Sequence, residues 1–303
     1  MSFELTILGS GSARPIAERC PSAHALLHGR WLYLVDCGEG TQLQLARYGL
    51  PLERISAIFL THLHADHVLG VFGLLATLSM TNRTAPLRIF AHPAFEPLLR
   101  MNLDFFVERP SFSVDFRPFS DDPYETLLDE GNMTVRTVPL RHRIPTRGFI
   151  FEEKRLPPNI RRDAVREHGL SPEQVRALKD GEPQRLACGR ILRPGEVLYQ
   201  KQQPASYAYL SDTSFSPELA THLQGVDCLY HEATFMNELE DTALATGHST
   251  AGQAGQMARL AGTKRLIVGH FSARYRDLAP LLRQVQEVFP HAVPAREGET
   301  HSI

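Results

Sequence analysis

The sequence feature that most constrains the fold of this chain is a cluster of three histidines and one aspartate at residues 61–67, THLHADH. The cluster follows an apolar run at 55–60 that predicts a buried strand, and it leads into an apolar segment at 66–80 that predicts a helix. Imidazole nitrogens and carboxylate oxygens are the donors that zinc and similar divalent ions prefer. In an extended loop His62 and His64 point the same way, whereas the aspartate and the last histidine enter the helix and point elsewhere. One loop could therefore serve two adjacent metals.

Along the rest of the chain, apolar segments that predict strands alternate with segments of helical composition. A glycine-rich turn, GSGS at 9–12, follows the first predicted strand, and a predicted helix at 40–48 ends at Gly49 before Pro51. Because strands that alternate with helices favour a sheet buried on both faces, we expect an α/β fold. The predicted strands are 5–8, 31–35, 55–60, 87–90, 133–138, 206–210, 228–230 and 265–268.

Further metal ligands are expected at strand ends, because the catalytic loops of open α/β sheets gather at the carboxyl ends of the strands. Three side chains are placed in this way: His142 follows the strand at 133–138, Asp212 follows 206–210 and His270 follows 265–268. The chain has 14 histidines, however, so a histidine can follow a strand by chance. From position alone, each of the three is either a ligand or an unrelated side chain.

Composition favours a globular enzyme without a membrane segment. Hydrophobic residues make up 43% and charged residues 22% of the chain, which is typical of such proteins and argues against disorder. The N-terminus has no targeting pattern and no segment approaches ~18 uncharged apolar residues, so we expect a cytoplasmic protein with no membrane partner. The four cysteines lie far apart, which favours reduced thiols over a disulfide scaffold or a cysteine-ligated zinc site.

The charge of the chain is segregated along the sequence. The net charge is −2, but residues 141–201 carry 14 Lys and Arg against 8 Asp and Glu, leaving 18 against 26 elsewhere. Within this basic region, residues 152–203 interrupt the alternation of strands and helices with LPPN at 156–159, two short charged helical stretches and RPG at 193–195. We interpret 152–203 as an inserted arm rather than as part of the core.

Taken together, the motifs of this chain resemble those of the metallo-β-lactamase superfamily. The shared motifs, in family order, are LGSG at 8–11, DCGEG at 36–40, the loop at 61–67, LRHRIP at 140–145 before Gly148 and Phe149, and SDT at 211–213. Three further motifs are typical of the ribonuclease Z family within that superfamily. They are HEAT at 231–234, GHST at 247–250 and GHFSARY at 269–275.

This resemblance implies a fold and a ligand set. The fold would be α/β, a four-layer αββα sandwich formed by residues 1–303 as a single domain, with the basic arm at 152–203 as a flexible insertion. Two divalent metal ions would be bound per subunit, zinc being the family's metal. The implied ligands are His62, His64 and His142 for one metal and Asp66, His67 and His270 for the other, with Asp212 bridging them.

The resemblance also implies a function, removal of the 3′ trailer from transfer-RNA (tRNA) precursors by a cytoplasmic homodimer. We expect a water activated between the metals to attack the phosphodiester 3′ of the discriminator region in line, leaving a 3′-OH on the tRNA. Asp66 would accept the proton of the water, and His248, held by Glu232, would donate one to the leaving oxygen. Arg274 and Ser249 are expected to contact the substrate.

The arm resembles the exosite with which this family clasps the tRNA elbow, and its positive charge suits contacts to phosphates. The sequence departs from many bacterial relatives here, because SPEQ at 171–174 and KDG at 179–181 stand where those relatives carry a Gly-Pro motif. A solvated charged insertion is the alternative interpretation.

Two other functions remain open from the sequence. The same fold and metals could hydrolyse small phosphodiesters, lactones, thioesters or sulfate esters, since a fold does not determine a substrate. Alternatively, the chain could be a non-catalytic metal-binding subunit of an RNA-processing complex. Cleavage of a small diester without RNA binding would favour the first, and RNA binding without cleavage the second.

Overall fold

The computed structural model describes residues 2–107, 110–200 and 203–303, so Lys201 and Gln202, near the end of the predicted arm, lie outside the described residues. Two seven-stranded sheets form the centre of the molecule. The first has the strand order β18-β1-β2-β3-β4-β5-β6, in which β3 to β6 are parallel and the strands from β18 to β3 are antiparallel. Its strands are β1 (Phe3–Gly9), β2 (Ala23–His28), β3 (Trp31–Val35), β4 (Ile55–Phe59), β5 (Leu87–Ala91), β6 (Val114–Pro118) and β18 (Thr300–Ser302).

The second sheet has the order β17-β16-β15-β14-β9-β8-β7, and β14 to β17 run parallel. Its strands are β7 (Thr126–Glu130), β8 (Met133–Leu140), β9 (Thr146–Glu153), β14 (Ser206–Leu210), β15 (Cys228–Glu232), β16 (Arg265–Gly269) and β17 (Val293–Pro294). All eight predicted strands are present, but β2, β6, β7, β9, β17 and β18 were not predicted.

Helices cover one face of each sheet, and aromatic side chains pack between the sheets. Apolar residues of α1 (Thr41–Arg47), α3 (Gly70–Met80) and α4 (Glu96–Asn102) share a core with the first sheet. Those of α9 (Ala251–Ala261) and α10 (Ala279–Val288) share a core with the second. Between the sheets, the ring of Phe59 lies 5.7 Å from that of Phe149 and 5.3 Å from that of Phe151. This confirms the predicted αββα sandwich. Two short helices, α2 (Ala65–Val68) and α8 (Glu240–Thr246), complete this part of the chain.

The helix predicted at 66–80 is wrong as a continuous element, because it is divided into α2 and α3 at Leu69. The amide of Gly70 donates a hydrogen bond of 2.9 Å to the carbonyl of Cys37, which lies beyond the end of β3. A Cβ atom at Gly70 would lie 1.9 Å from the carbonyl oxygen of Gly38, so only glycine permits this close approach. The break anchors α2, which carries two of the predicted ligands, to the neighbouring strand end.

A second compact unit consists of Glu130–Met133 and Glu152–Pro204. It contains α5 (Arg162–His168), α6 (Pro172–Lys179), α7 (Pro194–Val197) and two ribbons, β10 (Asn159–Ile160) with β13 (Leu198–Tyr199) and β11 (Gln184–Arg185) with β12 (Ile191–Leu192). Ser171 caps α6 through a capping box with Gln174. The unit has a small core of its own, formed by Ala164, Leu170, Leu178, Leu186, Leu192 and Val197. Its role as an RNA-binding arm stays a prediction.

All four cysteines are free thiols. Within residues 2–107, 110–200 and 203–303, no helix has the length and apolar character that crossing a bilayer requires.

Candidate metal centre

The side chains predicted as ligands meet where parallel strands of the two sheets end. Three non-glycine residues just beyond strand ends have a backbone in the left-handed region. They are Asp36, directly after β3, with φ 56°, Asp212, two positions after β14, with φ 60°, and His270, directly after β16, with φ 56°. Such conformations are uncommon for residues with a Cβ and concentrate at functional sites. The strand ends thus present these three side chains in conformations that the surrounding fold must maintain.

Asp212 lies between two groups of histidines. Its Oδ1 atom is 3.8 Å from Nε2 of His62 and 3.7 Å from Nε2 of His142. Its Oδ2 atom is 3.0 Å from Nε2 of His67 and 3.2 Å from Nε2 of His270. One carboxylate therefore faces both groups, as a ligand shared between two metals would.

The ligand atoms fall into overlapping clusters, within each of which all atoms lie within 4.8 Å of one another. These clusters are His62, His64, His142 and Asp212; Asp66, His67 and His270; and Asp212, His248 and His270. All seven predicted ligands are present in the first two clusters. The three side chains whose position after a strand was ambiguous in sequence, at 142, 212 and 270, thus lie with the loop at 61–67. The chain therefore contains His/Asp groups suited to divalent metals.

A carboxylate that the sequence did not assign to the site supports one of the histidines from behind. Asp36 accepts a hydrogen bond of 2.7 Å from Nδ1 of His67, and it also accepts from the amide and hydroxyl of Thr61 at 2.8 and 2.9 Å. The hydroxyl of Tyr209 donates to the same carboxylate at 3.0 Å. Such a partner fixes the ring orientation and raises the basicity of a histidine ligand.

The other histidines also use Nδ1 for a protein partner. The Nδ1 atom of His62 lies 2.9 Å from the Thr61 hydroxyl, that of His142 lies 2.8 Å from the Gly247 carbonyl, and that of His270 lies 2.9 Å from the Thr234 hydroxyl. In each ring Nε2 is therefore the nitrogen left for a metal. His64 differs, since its Nδ1 atom lies 2.9 Å from Nε2 of His62.

The buried nitrogens support the presence of bound metals. Nε2 of His67 and Nε2 of His270 are buried and make no hydrogen bond within the described residues, although Oδ2 of Asp212 lies 3.0 and 3.2 Å from them. Buried polar atoms without a partner are rare because they are costly. A metal ion between these nitrogens and the oxygens of Asp66 and Asp212 would satisfy them, so the residues present fit such a group.

Comparison with known proteins agrees with this geometry. The family model described as the beta-lactamase superfamily domain matches residues 164–271, and the model described as anti-Pycsar protein Apyc1 matches residues 3–116. A ribonuclease Z of Phocaeicola vulgatus is 41% identical over 301 residues, which are 99% of this chain and 97% of the relative. The chain belongs to the ribonuclease Z family. A second relative, the ribonuclease Z of Bacteroides thetaiotaomicron, is 40% identical over 98% of this chain and 94% of its own length.

Solved structures of the ribonuclease Z family share the fold. Human tRNase Z, short form, has a TM-score of 0.71 at 25% identity, with 99% of each chain covered. A long form RNase Z from yeast has a TM-score of 0.69 at 17% identity and covers 99% of this chain but 42% of its own, which shows the fold alone. The metallo-β-lactamase fold predicted from the motifs is therefore confirmed.

Beside the ligand cluster, the ribonuclease Z motifs build a hydrogen-bonded pair of His248 and Glu232. Nδ1 of His248 lies 3.0 Å from Oε1 of Glu232. The buried carboxylate also accepts from the amides of Thr213 and Ser249 and from the Thr234 hydroxyl. Burial alone would lower the pKa of His248, but the charge and hydrogen bond of Glu232, together with Asp212, raise that pKa to about 9.

The two residues predicted to contact substrate lie outside the lining of the cavity beside the cluster, and their contact with substrate stays a prediction. Ser249 is fully buried, its amide donates to Glu232, and its hydroxyl donates to the Thr213 carbonyl at 2.7 Å, so it supports the carboxylate. The guanidinium of Arg274 lies 4.9 Å from the ring centroid of Phe235. Neither side chain lines the cavity beside the cluster, which has a volume of about 250 Å³ and is lined by Ser12, Ala13, His64, Ala65, Asp66, Arg143, Asp212, His248 and His270.

Sequence reasoning missed several residues of this site. Arg143 is an exposed cation in the cavity wall, and its position directly after His142 in the LRHRIP motif was a signal for it. Asp36 follows a predicted strand in the same way as the predicted ligands, so its location could have been inferred. Nothing in the sequence indicates that Tyr209 reaches Asp36, because the two residues lie on different sheets.

Proposed function

We propose that this chain is an endoribonuclease that removes the 3′ trailer from tRNA precursors. The cut would lie 3′ of the discriminator region and would leave a 3′-OH on the tRNA. The observation that carries the proposal is the position of Asp212 between two histidine groups, with the His248–Glu232 pair beside it, in a chain 41% identical to a ribonuclease Z. The ribonuclease Z relatives and the human tRNase Z indicate the substrate class.

The residues that would hold the metals are the seven of the cluster. His62, His64 and His142 would hold one zinc ion, and the second group, Asp66, His67 and His270, would hold another, with Asp212 as the shared ligand. When bound, two such ions lower the pKa of a water and stabilise the charge that develops on a phosphodiester during in-line displacement. Nitrogen and carboxylate donors without cysteine suit zinc in a catalytic site.

Asp66 and His248 would handle the protons of the reaction. Oδ2 of Asp66 accepts a hydrogen bond of 2.7 Å from the amide of Ala13, which fixes the carboxylate at the cavity wall, where it would accept the proton of the attacking water. His248 has its Nδ1 atom engaged by Glu232, so Nε2 is the atom that would donate a proton to the departing O3′ of the tRNA. Phosphorus would gain the water oxygen and lose O3′, and the phosphate would remain on the trailer.

Two arginines near the cavity would contact the substrate. Arg143 lines the cavity directly, where its guanidinium could pair with the oxygens of the scissile phosphate. Arg274, which lies over the ring of Phe235, would act on a phosphate farther along the strand. Ser249 would contribute through Glu232 rather than by contact with RNA.

The arm at 152–203 would bind the tRNA away from the cut. Residues 141–201 carry a net charge of +6, and half of this charge comes from Arg141, Arg143 and Arg147, which precede the arm. The arm still presents exposed basic side chains, including Arg162 and Arg166 on one face of α5. Contacts of this kind bind phosphates without regard to sequence.

We further propose that the protein acts as a cytoplasmic homodimer. Four apolar side chains on α4 and on the π-helical segment Leu103–Val107 after it are 41 to 78% exposed and suit an interface with a second copy: Leu98, Met101, Phe105 and Phe106. Free cysteines accord with a reducing compartment. Sedimentation of wild-type protein and of Phe105→Asp would test the dimer, because the variant should sediment as a monomer.

The deciding experiment is incubation of the purified protein with a defined tRNA precursor, with and without chelator, followed by mapping of the cut. We expect one cut 3′ of the discriminator, a 3′-OH end, loss of activity with chelator and recovery with zinc. Cleavage that is absent or insensitive to chelator would contradict the proposal. Hydrolysis of an aryl phosphodiester without any RNA binding would instead indicate a small-molecule phosphodiesterase, and RNA binding without cleavage would indicate a non-catalytic subunit.

A further inference from the structure

A second cavity, with a volume of about 410 Å³, lies next to the metal centre and shares the segment 10–13 with it. Ser10 lines this second cavity, whereas Ser12 and Ala13 line the cavity beside the metal ligands. The segment between them is held in place on both sides, because the amide of Gly11 donates to the Cys20 carbonyl at 2.9 Å and the amide of Ser12 donates to the Phe271 carbonyl at 3.1 Å. The short segment 10–13 therefore connects the linings of the two cavities.

Four arginines from separate parts of the chain line the second cavity, which we call the arginine cavity. They are Arg19 from the loop after β1, Arg47 from the end of α1, Arg276 from the loop before α10 and Arg296 from the loop between β17 and β18. Arg47, Arg276 and Arg296 are exposed. Outside residues 141–201 the chain has 18 basic against 26 acidic residues, so four cations around one cavity stand out from an acidic background.

Arg19 is the buried member of the group, with an exposed fraction of 7%. Its Nη2 atom donates to the carbonyl of Tyr275, and its guanidinium carbon lies 5.9 Å from the ring centroid of Phe271. Its Nη1 atom is buried and has no hydrogen-bond partner among the described residues. Because a guanidinium keeps its charge in proteins, a buried Nη1 without an acceptor is costly unless a ligand supplies one.

The acidic residues of the arginine cavity, Glu18 and Glu297, are outnumbered by its arginines. Both oxygens of Glu297 accept hydrogen bonds from neutral groups, Oε1 from the amide of Cys20 at 2.6 Å and Oε2 from Nε2 of Gln44 at 3.0 Å. Glu18 is exposed at the rim. Four guanidinium groups against these two carboxylates leave a net positive lining, which selects an anion.

We infer that the arginine cavity binds a backbone phosphate of the same RNA strand that the metal centre cuts. The inference rests on the proposed function and extends it to a second contact site, outside the arm. Guanidinium groups match phosphate oxygens in geometry and charge. The segment 10–13 spans at most ~14 Å when fully extended, so an RNA strand with one phosphate at the metals needs only a few nucleotides to reach the cavity.

The test uses the double variant Arg47→Gln/Arg296→Gln in the full-length protein. Both side chains are exposed, so their replacement should leave the fold intact, whereas a change at the buried Arg19 could unfold the loop. Arg259→Gln is the matched control, because Arg259 is an exposed arginine in the last turn of α9 and does not line the cavity.

We expect the double variant to raise KM for a tRNA precursor roughly 3- to 10-fold with little change in kcat, and to reduce the slope of log affinity against log salt by about 1. Hydrolysis of an aryl phosphodiester should be unchanged, and the control should behave as the wild type on both substrates. An unchanged KM and salt slope in the double variant would overturn the inference.

Inorganic phosphate shows whether the arginine cavity binds a phosphate of the RNA or only a free phosphate ion. In the wild type, phosphate should compete with the RNA and raise KM, and this effect should be weaker in the double variant. If phosphate stabilises the wild type more than the variant while both have the same KM for the precursor, the cavity binds free anions and not RNA, which would overturn the inference. If the wild-type protein binds the precursor but does not cut it, only the proposed function is contradicted. The affinities of the variants for RNA would then still decide whether the cavity binds RNA.

Discussion

The ligand cluster and the arm place polar side chains in opposite environments. His62, His67 and His270 are at most 1% exposed, and their positions are fixed by hydrogen bonds behind the rings. The basic side chains of the arm, such as Arg162 and Arg166, are exposed. Buried polar groups depend strongly on each partner, whereas exposed charges contribute small, additive and salt-dependent amounts. Changes in the cluster should therefore affect every substrate, and changes in the arm should affect only a large polyanion.

The strongest test of this comparison is Asp212→Ala. Because this carboxylate faces both histidine groups, its loss should lower metal content and reduce turnover of both a tRNA precursor and an aryl phosphodiester. The fall should exceed the roughly 10²- to 10⁴-fold that the loss of one acid or base brings. Metal analysis and steady-state kinetics on both substrates measure it. Retained hydrolysis of the small diester would show that the two groups do not depend on the shared ligand.

A second test, His248→Ala, shows whether the proton donor can be lost without loss of metal from the ligand cluster. Turnover of the precursor should fall by about 10²- to 10⁴-fold, because the departing O3′ needs a proton. An aryl phosphodiester, whose leaving phenolate needs no proton, should lose less, and metal content should stay at the wild-type value. Single-turnover cleavage of the precursor at the wild-type rate would remove His248 from the mechanism. Glu232→Gln, which keeps the shape of the side chain, should reproduce part of the loss.

Replacement of the arm by a short Gly/Ser linker tests whether the arm affects only the RNA substrate. We expect KM for the precursor to rise roughly 10- to 100-fold, with a larger effect at high salt, because several phosphate contacts are lost. Hydrolysis of the aryl phosphodiester should not change. The charge variant Arg162→Gln/Arg166→Gln, which keeps α5, should give a smaller rise in KM. Equal losses on both substrates would contradict a role confined to RNA binding.

The smallest expected effect is that of Tyr209→Phe, which removes one hydrogen bond from Asp36. Metal affinity, measured by competition with a chelator, should fall by roughly 2- to 10-fold, less than the 10- to 100-fold typical for a direct partner of a ligand. Tyr207→Phe is the matched control, because Tyr207 is equally buried but its hydroxyl pairs with His24, at 2.7 Å. If metal affinity falls equally in both variants, the loss is caused by altered packing and not by the missing hydrogen bond.

The sequence by itself determined the strands that carry the site and the residue types at their ends. Local periodicity located β3, β4, β14 and β16, and the motifs indicated the family, because both depend on residues that are close in sequence. The same local pattern predicted one helix at 66–80, and the break at Leu69 was missed. That break depends on Cys37 and Gly38, which are distant in sequence but adjacent in the fold.

Only the tertiary structure decided which side chains support one another. Tyr209 and Asp36 are separated by 173 positions, and their hydrogen bond exists because the two sheets pack face to face. The amide of Ser249 donates to Glu232, 17 positions earlier in the chain, and Ser249 is fully buried, while its contact with substrate stays a prediction. The four arginines of the second cavity come from positions 19 to 296 and share no sequence pattern. Pairings of this kind follow from long-range packing, which no local period or motif encodes.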